Sequence, residues 1–447
     1  MSRYTISVFG LGRVGLTIAA CFASRGFRVV GFDIDRSKLD MIRRGVAPFY
    51  EPGLDELVKR GVESGLLRVT DDYVRAVKES NVTFIAVNTP SKEDGSIDLS
   101  FVESASRMVG EGLRYKDEWH LVVVKSTVVP GTTENVVKRI VEEVSGKKAG
   151  KDFGLCVSPE FLSEGTAVKN FLYPDRIVIG EIDKRSGDVL ENLFKLFYGD
   201  RTPPILRTTP ANAELIKYAS NAFLAMKISF INMIADLCEK IPGCDIDEVA
   251  RGIGLDKRIG LHFLRAGIGW GGPCFRKDML ALKAFAEKLG VKLPLVDATI
   301  HINDTRVEKV INLVKKALGG KLRGMRIAVL GLTYKPGTDD VTDSPSLRLV
   351  KALLREGAQV IVYDPKGMEN FRRVVGDSVL YANNILDCVK DADCLIIATD
   401  WEEFKKLDLE AIAKHMRRPI VVDARRVFAS KRPRKLKYIA LGSYIGE

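Results

Sequence analysis

The stretch TISVFGLGRVG, residues 5–15, decides the fold of this chain. A short β-branched run leads into a loop with three glycines, and residues 16–25 then have the apolar spacing of a helix. In such a unit Gly10 permits the tight turn, Gly12 lets the backbone approach a pyrophosphate, and Gly15 allows the helix to pack closely on the strand. The N-terminus of the helix also favours phosphate charge. The stretch therefore predicts an α/β unit that binds a dinucleotide.

The second strand-like run, RVVGFD, supports this interpretation because it ends in Asp33. An acidic residue about twenty positions after the glycine loop accepts hydrogen bonds from the adenosine ribose and disfavours the 2′-phosphate of NADP. The predicted cofactor is therefore NAD. The alternative is a glycine-rich turn in an α/β domain that binds no ligand.

The strand–helix alternation continues through the first half of the chain and returns near its end. Strand-like runs at 81–90 and 120–131 each end in a polar turn, and the later runs MRIAVLG, AQVIVYDP, DADCLIIATD and RPIVVDARRVF repeat the order of the first half. Strand signals are absent from about 205 to 300. The pattern predicts an α/β fold with two doubly wound, Rossmann-like parallel-sheet domains joined by a long central helix. The expected domains are 1–204, 205–300 and 301–447.

The central region predicts two helices. Ala211–Lys240 is apolar in steps of three and four and stops before Pro242-Gly243. A helix of this length spans about 45 Å, enough to join two domains or to form a dimer surface. A second helix is expected from Cys274 to Leu289.

Composition places the chain among ordinary globular proteins. It has 447 residues, of which 46% are hydrophobic and 28% charged. No uninterrupted apolar run reaches the ~18 residues of a membrane span, and the apolar N-terminus leads into the glycine loop rather than a cleavage site. We therefore expect a cytoplasmic protein without a membrane partner. The seven cysteines and four histidines show no metal-ligand spacing, so no metal is expected.

The net charge of +11 raises the question of a polyanionic partner. The densest basic stretch is KRPRKLK, residues 431–437. It is interpreted as a solvated edge, and no nucleic-acid partner is expected.

The segment GIGWGGPCFRKD, residues 267–278, is the most informative for chemistry. Four glycines within six residues indicate a backbone pressed against a ligand. Cys274 is expected in the first turn of the following helix, where backbone N–H groups and the helix dipole stabilise a thiolate. A lone cysteine is usually a small packed hydrophobe. Here the glycine frame and the adjacent Lys277-Asp278 pair favour a nucleophile.

Two further motifs carry polar groups suited to catalysis. Lys217 and Asn221 lie four residues apart, on one face of the predicted long helix, where they can stabilise oxyanions. The run SPEFLSEGT places Glu160 and Glu164 in a loop after a strand. For both motifs the alternative is ordinary surface polarity. In the C-terminal repeat the glycine triplet is lost and Lys335 appears, which predicts a second nucleotide ligand that is not a dinucleotide.

These motifs together resemble the UDP-glucose dehydrogenases, within the wider UDP-glucose/GDP-mannose dehydrogenase family. The resemblance covers nearly the whole chain and rests on the segments GLGRVG, FDID, PFYEPGL, VNTP, KSTVVPG, SPEFLSEGTA, AELIKYASNAFLAMKISFINMIA, LDKRIGLHFL, GIGWGGPCFRKD and GLTYKPGTDD. It implies NAD-binding, central dimerisation and catalytic, and UDP-sugar-binding domains, in that order. It also implies a role in nucleotide-sugar metabolism, with UDP-glucuronate made for polysaccharide biosynthesis.

The resemblance also implies roles for individual residues. The catalytic residues would be Cys274, Lys217, Asn221, Asp278, Glu160 and Thr127. NAD would be bound by Gly10, Gly12, Val14, Gly15, Asp33, Lys38, Thr89, Thr127, Glu164 and Lys277. The UDP-sugar would be bound by Glu160, Phe161, Leu162, Ser163, Glu164, Lys217, Asn221, Arg258, Phe263, Leu264, Arg265, Ala266, Gly267, Gly271 and Lys335. Arg258 is similar to an arginine that reaches the substrate of a neighbouring subunit, so a homodimer or a multiple of it is implied.

The chain departs from the family pattern after TDD. The family usually has an arginine there that contacts the cofactor, whereas this chain has Thr342. The residue that supplies this charge is left open.

The implied reaction is a four-electron oxidation of UDP-glucose to UDP-glucuronate with two NAD and one water. Cys274 would add to the intermediate aldehyde as a thiohemiacetal, and a second oxidation would give a thioester. Three alternatives remain at this point. One is the same chemistry on a UDP-N-acetylhexosamine or GDP-mannose. Another is a plain alcohol dehydrogenase that releases an aldehyde, and the third is a catalytically silent sensor of NAD and nucleotide.

Overall fold

The glycine loop joins a buried strand to a buried helix, as its sequence predicts. The computed structural model of the chain describes residues 4–431, 433 and 435–444. Its first half contains β1 (Thr5–Phe9), α1 (Arg13–Ser24), β2 (Arg28–Phe32), α2 (Arg36–Arg43), α3 (Leu54–Glu63), β3 (Leu67–Thr70), α4 (Tyr73–Lys78), β4 (Val82–Ile85), α5 (Ser100–Arg114), β5 (His120–Val124), α6 (Lys138–Ser145), β6 (Phe153–Val157), α7 (Ala167–Leu172), β7 (Ile177–Glu181), α8 (Lys184–Tyr198) and β8 (Ile205–Thr208).

The second half begins with the long helix α9. It contains α9 (Pro210–Cys238), α10 (Ile246–Gly254), α11 (Phe275–Lys288), α12 (Pro294–Leu318), β9 (Arg326–Leu330), α13 (Pro345–Arg355), β10 (Gln359–Tyr363), α14 (Met368–Val375), β11 (Leu380–Tyr381), α15 (Ile385–Val389), β12 (Cys394–Ile397), α16 (Glu402–Lys405), α17 (Leu409–Ala413), β13 (Ile420–Asp423) and β14 (Lys437–Ala440). The basic stretch at 431–437 lies partly outside the described residues.

The chain divides into two structural units. The first comprises Met1–Ser220 and Leu280–Leu289, and the second comprises Asn221–Met279 and Gly290–Glu447. The first contains an eight-stranded sheet of order β3-β2-β1-β4-β5-β6-β7-β8. The second contains a six-stranded sheet of order β11-β10-β9-β12-β13-β14. In each sheet the strand order reverses beside the strand that comes first in the sequence, β1 or β9. This position is the switch point of a doubly wound fold. The predicted fold class is confirmed.

Burial on both faces explains why these strands are continuous apolar runs. In β1, Ile6 and Val8 face one hydrophobic core and Phe9 faces the other. In β9, Ile327 and Leu330 likewise belong to opposite cores. All neighbouring strands of the second sheet are parallel.

Three details differ from the sequence prediction. The first sheet is not wholly parallel, because β6 and β7 pair antiparallel. The absence of strands from 205 onward is wrong for residues 205–208, which form β8 beside β7. Helix α11 begins at Phe275, so Cys274 precedes the first turn instead of lying within it. Short strands such as β8 have too few residues for a periodic signal.

Among the described residues, α9 is the one helix that is long and apolar enough by length and composition to cross a membrane. It nevertheless carries Glu214, Lys217 and Asn221 on its buried side, each bound to a polar partner. The core helix of a globular protein has these same properties. The α9 helix begins in the first unit and continues into the second.

Candidate active site

The glycine loop after β1 has the geometry of a phosphate-binding turn. Gly10 has φ +90°, and a Cβ there would lie 2.8 Å from the carbonyl oxygen of Ala86. A Cβ on Gly15 would lie 1.8 Å from the carbonyl oxygen of Gly10. Gly12 is the N-cap of α1 and provides no side chain to cap its N–H groups. Backbone donors at the start of α1 therefore remain available for a phosphate.

Asp33 follows β2 and is held beside this loop. Its Oδ2 accepts the N–H of Leu11 at 2.8 Å and lies 2.8 Å from Nζ of Lys38, while Oδ1 accepts the N–H of Asp35 at 3.0 Å. Burial opposes ionisation of Asp33, but these hydrogen bonds outweigh it and lower the pKa of the carboxyl. An ionised carboxylate at this position fits the ribose of NAD.

The second unit repeats this arrangement with one change. Asp364 follows β10, and its Oδ2 accepts the N–H of Leu332 at 2.7 Å, as Asp33 does with Leu11. The same oxygen also accepts the indole N–H of Trp401 at 3.0 Å. Gly331 has φ +97°, like Gly10. The repeat keeps the strand–turn geometry, and Trp401 donates to its carboxylate.

Several other predicted cofactor residues lie in segments that follow other strands of the first sheet. Thr89 is buried in the turn after β4, and Thr127 is partly buried after β5. Glu164 forms an ion pair with Arg13 of the glycine loop at 3.4 Å. The buried Glu51 was not among the predicted residues. It fixes the loop that carries Glu164, because it accepts the N–H groups of Gly165 and Ala167, both at 2.7 Å. Val14 is partly buried at the start of α1.

The predicted catalytic residues Glu160 and Lys217 form a buried ion pair in the first unit. Oε1 of Glu160 lies 2.8 Å from Nζ of Lys217, and Oε2 accepts the N–H of Leu162. Burial opposes ionisation of Glu160, but the charge and hydrogen bond of Lys217 outweigh it and lower its pKa. The ring of Phe161 lies 5.6 Å from the same Nζ. The pair joins α9 to the loop after β6.

Lys125 was missed by the sequence interpretation. It follows β5 directly, and its Nζ donates to the carbonyl of Pro159 at 3.0 Å. Burial lowers the pKa of Lys125 to about 7, and the charge of Lys217 adds to this while that of Glu160 opposes it. The available signal was a lysine at the end of a fully apolar strand.

Cys274 is the N-cap of α11 in the second unit. Its carbonyl accepts the N–H of Asp278 at 2.8 Å, the first hydrogen bond of the helix. Of the seven cysteines, all among the described residues, Cys274 is the exposed one. The helix N-terminus favours its thiolate, and exposure leaves it accessible. Gly269 and Gly272 before it have φ +104° and +92°, so glycine is required at both positions.

The predicted residues Asn221 and Asp278 also meet in this unit. Nδ2 of Asn221 lies 2.6 Å from Oδ2 of Asp278, and Nζ of Lys277 lies 2.6 Å from Oδ1. Asp278 is buried with both oxygens occupied. The amide of Asn221 is therefore oriented by Asp278, four residues beyond Cys274.

Polar side chains from several elements hold the glycine segment before Cys274. Asn232 of α9 accepts the N–H of Gly267 at 2.8 Å, and Asn303 of α12 accepts the N–H of Trp270 at 2.8 Å. Arg425, after β13, donates to the carbonyl of Gly269 at 2.8 Å. Arg425 was missed, although its DARR sequence follows a strand end. Burial lowers the pKa of Arg425 to about 10, so it keeps its charge at neutral pH.

Some of the predicted substrate residues of the second unit are buried, and others are exposed. Leu264, Ala266, Gly267 and Gly271 are buried, and Phe263 has φ +66°. Arg265 pairs instead with Asp400 at 3.2 Å, and Arg258 is largely exposed and pairs with Asp256 at 2.6 Å. Nζ of Lys335 lies 5.4 Å from the ring of Tyr334. In the first unit, the N–H of Ser163 donates to Asn170 at 3.0 Å.

Thr342, where the family arginine is missing, contributes backbone contacts. Its carbonyl accepts the N–H of Gly272 at 3.1 Å, and its own N–H donates to Asp340 at 2.7 Å. The neighbouring Asp343 pairs with Arg276 of the cysteine segment at 3.1 Å.

Comparison with known proteins agrees with this geometry. The chain matches the UDP-glucose/GDP-mannose dehydrogenase family in its NAD binding domain over residues 4–198, its central domain over 211–305 and its UDP binding domain over 328–430. It is 46% identical to the UDP-glucose 6-dehydrogenase AglM of Haloferax volcanii, covering 94% of this chain and 96% of that protein. It is 45% identical to the UDP-glucose 6-dehydrogenase of Rhizobium meliloti, covering 98% and 99%.

A solved structure extends the comparison to three dimensions. The UDP-glucose dehydrogenase of the archaeon Pyrobaculum islandicum is 43% identical, with a TM-score of 0.91 over 99% of both chains. Sequence and fold agree along almost the whole length, and this chain belongs to the UDP-glucose/GDP-mannose dehydrogenase family.

Proposed function

We propose that this chain is an NAD-dependent UDP-glucose 6-dehydrogenase that converts UDP-glucose, two NAD and water to UDP-glucuronate and two NADH. The observation that carries the proposal is the exposed Cys274 at the N-terminus of α11, in the same unit as the Asn221–Asp278 pair. Relatives at 45–46% identity over nearly their whole length are named for this reaction.

Bound NAD supplies the acceptor for the hydride that leaves the substrate carbon in each of the two oxidations. Gly10, Gly12 and the N–H groups of α1 hold its pyrophosphate, and Asp33 holds its ribose. The remaining cofactor contacts are Val14, Gly15, Lys38, Thr89, Thr127, Glu164 and Lys277.

Cys274 makes the second oxidation possible. An aldehyde carbon does not give up hydride readily until a nucleophile has added to it. The Cys274 thiolate adds to the aldehyde to form a thiohemiacetal, and loss of the second hydride leaves a thioester. Water then cleaves the carbon–sulfur bond, which releases the carboxylate and restores the thiol.

Two side chains of α9 stabilise the oxyanions of these steps. Lys217 provides a positive charge that is already desolvated, and Asn221 provides an amide oriented by Asp278. Glu160 or Asp278 activates the hydrolytic water, and Thr127 assists in placing it.

The residues proposed to bind the UDP-sugar are those that the family resemblance implies. The proposed contacts of the first unit are Glu160 to Glu164 and Lys217. Those of the second are Asn221, Phe263 to Gly267, Gly271 and Lys335, and Arg258 acts from a neighbouring subunit.

The proposed assembly is a homodimer or a multiple of it. Helix α9 carries a row of exposed apolar side chains, namely Phe223, Phe230, Met233 and Leu237, spaced by three, four or seven residues. Such a row lies on one helix face and is typical of a surface that another subunit covers. We also place the enzyme in the cytoplasm and retain the functional division at 1–204, 205–300 and 301–447.

The decisive experiment measures NADH formed per sugar with a panel of nucleotide sugars. UDP-glucose is expected to give two NADH and UDP-glucuronate. One NADH with release of free aldehyde contradicts the four-electron reaction. Turnover with UDP-N-acetylhexosamine or GDP-mannose but not UDP-glucose changes the substrate, and no turnover with any sugar supports the silent sensor.

A further inference from the structure

A buried lysine that the proposed mechanism does not use lies against the loop that carries Glu160. Lys125 ends β5, its N–H donates to the carbonyl of Ile85 at 2.8 Å, and the side chain is 6% exposed. Its Nζ donates to the carbonyl of Pro159 at 3.0 Å and approaches Oγ of Ser158 at 3.4 Å. Lys125 therefore holds the two residues that immediately precede Glu160.

Two buried lysines lie near the carboxylate of Glu160. The charge of Glu160 favours the protonated form of Lys125, and the charge of Lys217 of α9 disfavours it. Both lysines in turn lower the pKa of Glu160. A buried ammonium costs several kcal/mol unless it is compensated, and the carbonyl of Pro159 could be satisfied by a neutral donor. The chain therefore has a charged side chain at a position where an uncharged donor would make the same hydrogen bond.

We propose that Lys125 is a positioning residue for the oxidation, which fixes the Ser158–Glu160 turn and adds a second positive charge beside the Lys217–Glu160 pair. It acts on the substrate through that pair and touches no reacting atom. The proposal rests on the proposed function insofar as Lys217 and Glu160 serve the reaction.

Two variants separate the hydrogen bond from the charge. Lys125→Gln keeps a donor for Pro159 and removes the charge, whereas Lys125→Met removes both. Lys116→Met is the matched control. Lys116, which precedes β5 in the chain, is equally buried, at 6% exposure. Its Nζ donates to the backbone carbonyls of Val77 and Ser80, which precede β4. Lys116 lies beyond the opposite end of β5 from Lys125. Its removal therefore tests the effect of losing a buried lysine that does not contact the Ser158–Glu160 turn.

Steady-state kinetics with UDP-glucose from pH 5.5 to 9.5 are expected to distinguish these variants. Lys125→Met should lower kcat by about 10- to 100-fold, the range caused by misplaced catalytic groups. Lys125→Gln should fall between Lys125→Met and wild type, and KM should change by less than about 3-fold in both because the effect is on the reacting groups. The ratio of wild-type kcat to that of Lys125→Met should decline as pH rises through about 7, where Lys125 loses its charge. Lys116→Met should keep the wild-type kcat and pH profile.

A double variant tests whether Lys125 acts through Glu160. In the Glu160→Gln background, the further change Lys125→Met should cost less than about 3-fold in kcat, because effects transmitted through one group are not additive. An equal cost in both backgrounds, or a pH profile unchanged in Lys125→Met, overturns the proposal.

A measurement on the protein alone separates this proposal from the proposed function. Lys125 takes up a proton more readily in the unfolded chain than in the folded protein. The stability of wild type relative to Lys125→Met should therefore rise from pH 7 to about 10.5. In the Glu160→Gln background this rise should begin at lower pH, because the carboxylate no longer supports the charge. If UDP-glucose is not a substrate but this pattern is found, the proposed function fails and the link between Lys125 and Glu160 stands. If the pattern is absent, the Lys125 proposal fails whatever the substrate.

Discussion

Nζ of Lys217 lies 2.8 Å from Oε1 of Glu160, and the two side chains are 4% and 8% exposed. The first residue belongs to α9 and the second to the loop after the inner strand β6, so this ion pair connects the long helix to that loop. Removal of Lys217 takes away the cation in direct contact with Glu160, and the charge of Lys125 remains near the carboxylate.

Lys217→Met is expected to reduce both stability and turnover. Glu160 keeps the nearby charge of Lys125, so the loss in the free energy of unfolding should stay below the about 3–5 kcal/mol of a buried charge left without any partner. Loss of the positive charge should lower kcat by about 100-fold or more, in both oxidation steps. Adding Glu160→Gln should recover part of the stability but not the turnover. Denaturant unfolding and single-turnover NADH kinetics measure the two effects, and full activity of Lys217→Met contradicts the assigned role.

Cys274→Ser is expected to stop turnover after the oxidations. A hydroxyl adds to aldehydes less readily than a thiolate, and the resulting ester is hydrolysed more slowly than a thioester. Intact-mass measurement should find a sugar ester on the protein or a tightly held aldehyde. Cys274→Ala should lose overall turnover and still reduce added UDP-sugar aldehyde with NADH. Near wild-type formation of UDP-glucuronate by Cys274→Ala would show that the thiol has no catalytic role. Cys156→Ala is the matched control at a buried thiol of the first unit.

NAD should be preferred over NADP by at least about tenfold, or about 1.4 kcal/mol. The reason is that Asp33 is ionised and repels the 2′-phosphate. Asp33→Asn should narrow the preference, measured as the ratio of kcat/KM for the two cofactors. Asp364→Asn is a matched control, because Asp364 occupies the equivalent place after β10 and accepts the indole N–H of Trp401. Equal use of both cofactors by the wild-type enzyme contradicts the role of Asp33.

His120 should make the protein sensitive to acid. It is fully buried in β5, its Nε2 lies 2.7 Å from Oγ1 of Thr83, and burial holds its pKa well below 6.5. Because the folded pKa is depressed, the unfolded chain binds the proton first as pH falls below 6.5. The stability of wild type relative to His120→Gln should therefore decline below this pH by up to about 1.4 kcal/mol per pH unit. His415→Gln, at an exposed histidine, is the control. Chemical unfolding at pH 5 to 8 tests this, and parallel curves for wild type and His120→Gln would contradict it.

The exposed row on α9 predicts the behaviour of a dimer variant. Phe230 is 43% exposed, and Phe230→Glu places a charge within the proposed contact. Light scattering should show a homodimer or larger assembly for wild type and a smaller species for this variant, with reduced activity because Arg258 no longer reaches a neighbour. Phe101→Glu, at a similarly exposed phenylalanine of α5, should leave the assembly unchanged. A fully active wild-type monomer would show that Arg258 does not act between subunits.

The amino-acid sequence was sufficient to predict features that depend on neighbouring residues. The strand, glycine loop and helix of residues 5–24, the position of Asp33 and the four C-terminal repeat strands all follow from local periodicity and turn chemistry. The spacing of Lys217 and Asn221 likewise places them one turn apart on α9. These signals are strong because the covalent chain keeps the residues that make them close together.

Tertiary structure alone decided which distant groups meet. Asn221 and Asp278 are 57 residues apart, yet their side chains form a hydrogen bond. Lys125 finds its partners 33 and 34 residues further along the chain because β5 and β6 end side by side. The pairing of β8 beside β7 was also invisible in its sequence. Contacts of this kind depend on how strands register and helices pack, and on the burial that changes the charge of a side chain. No local pattern of residues carries that information.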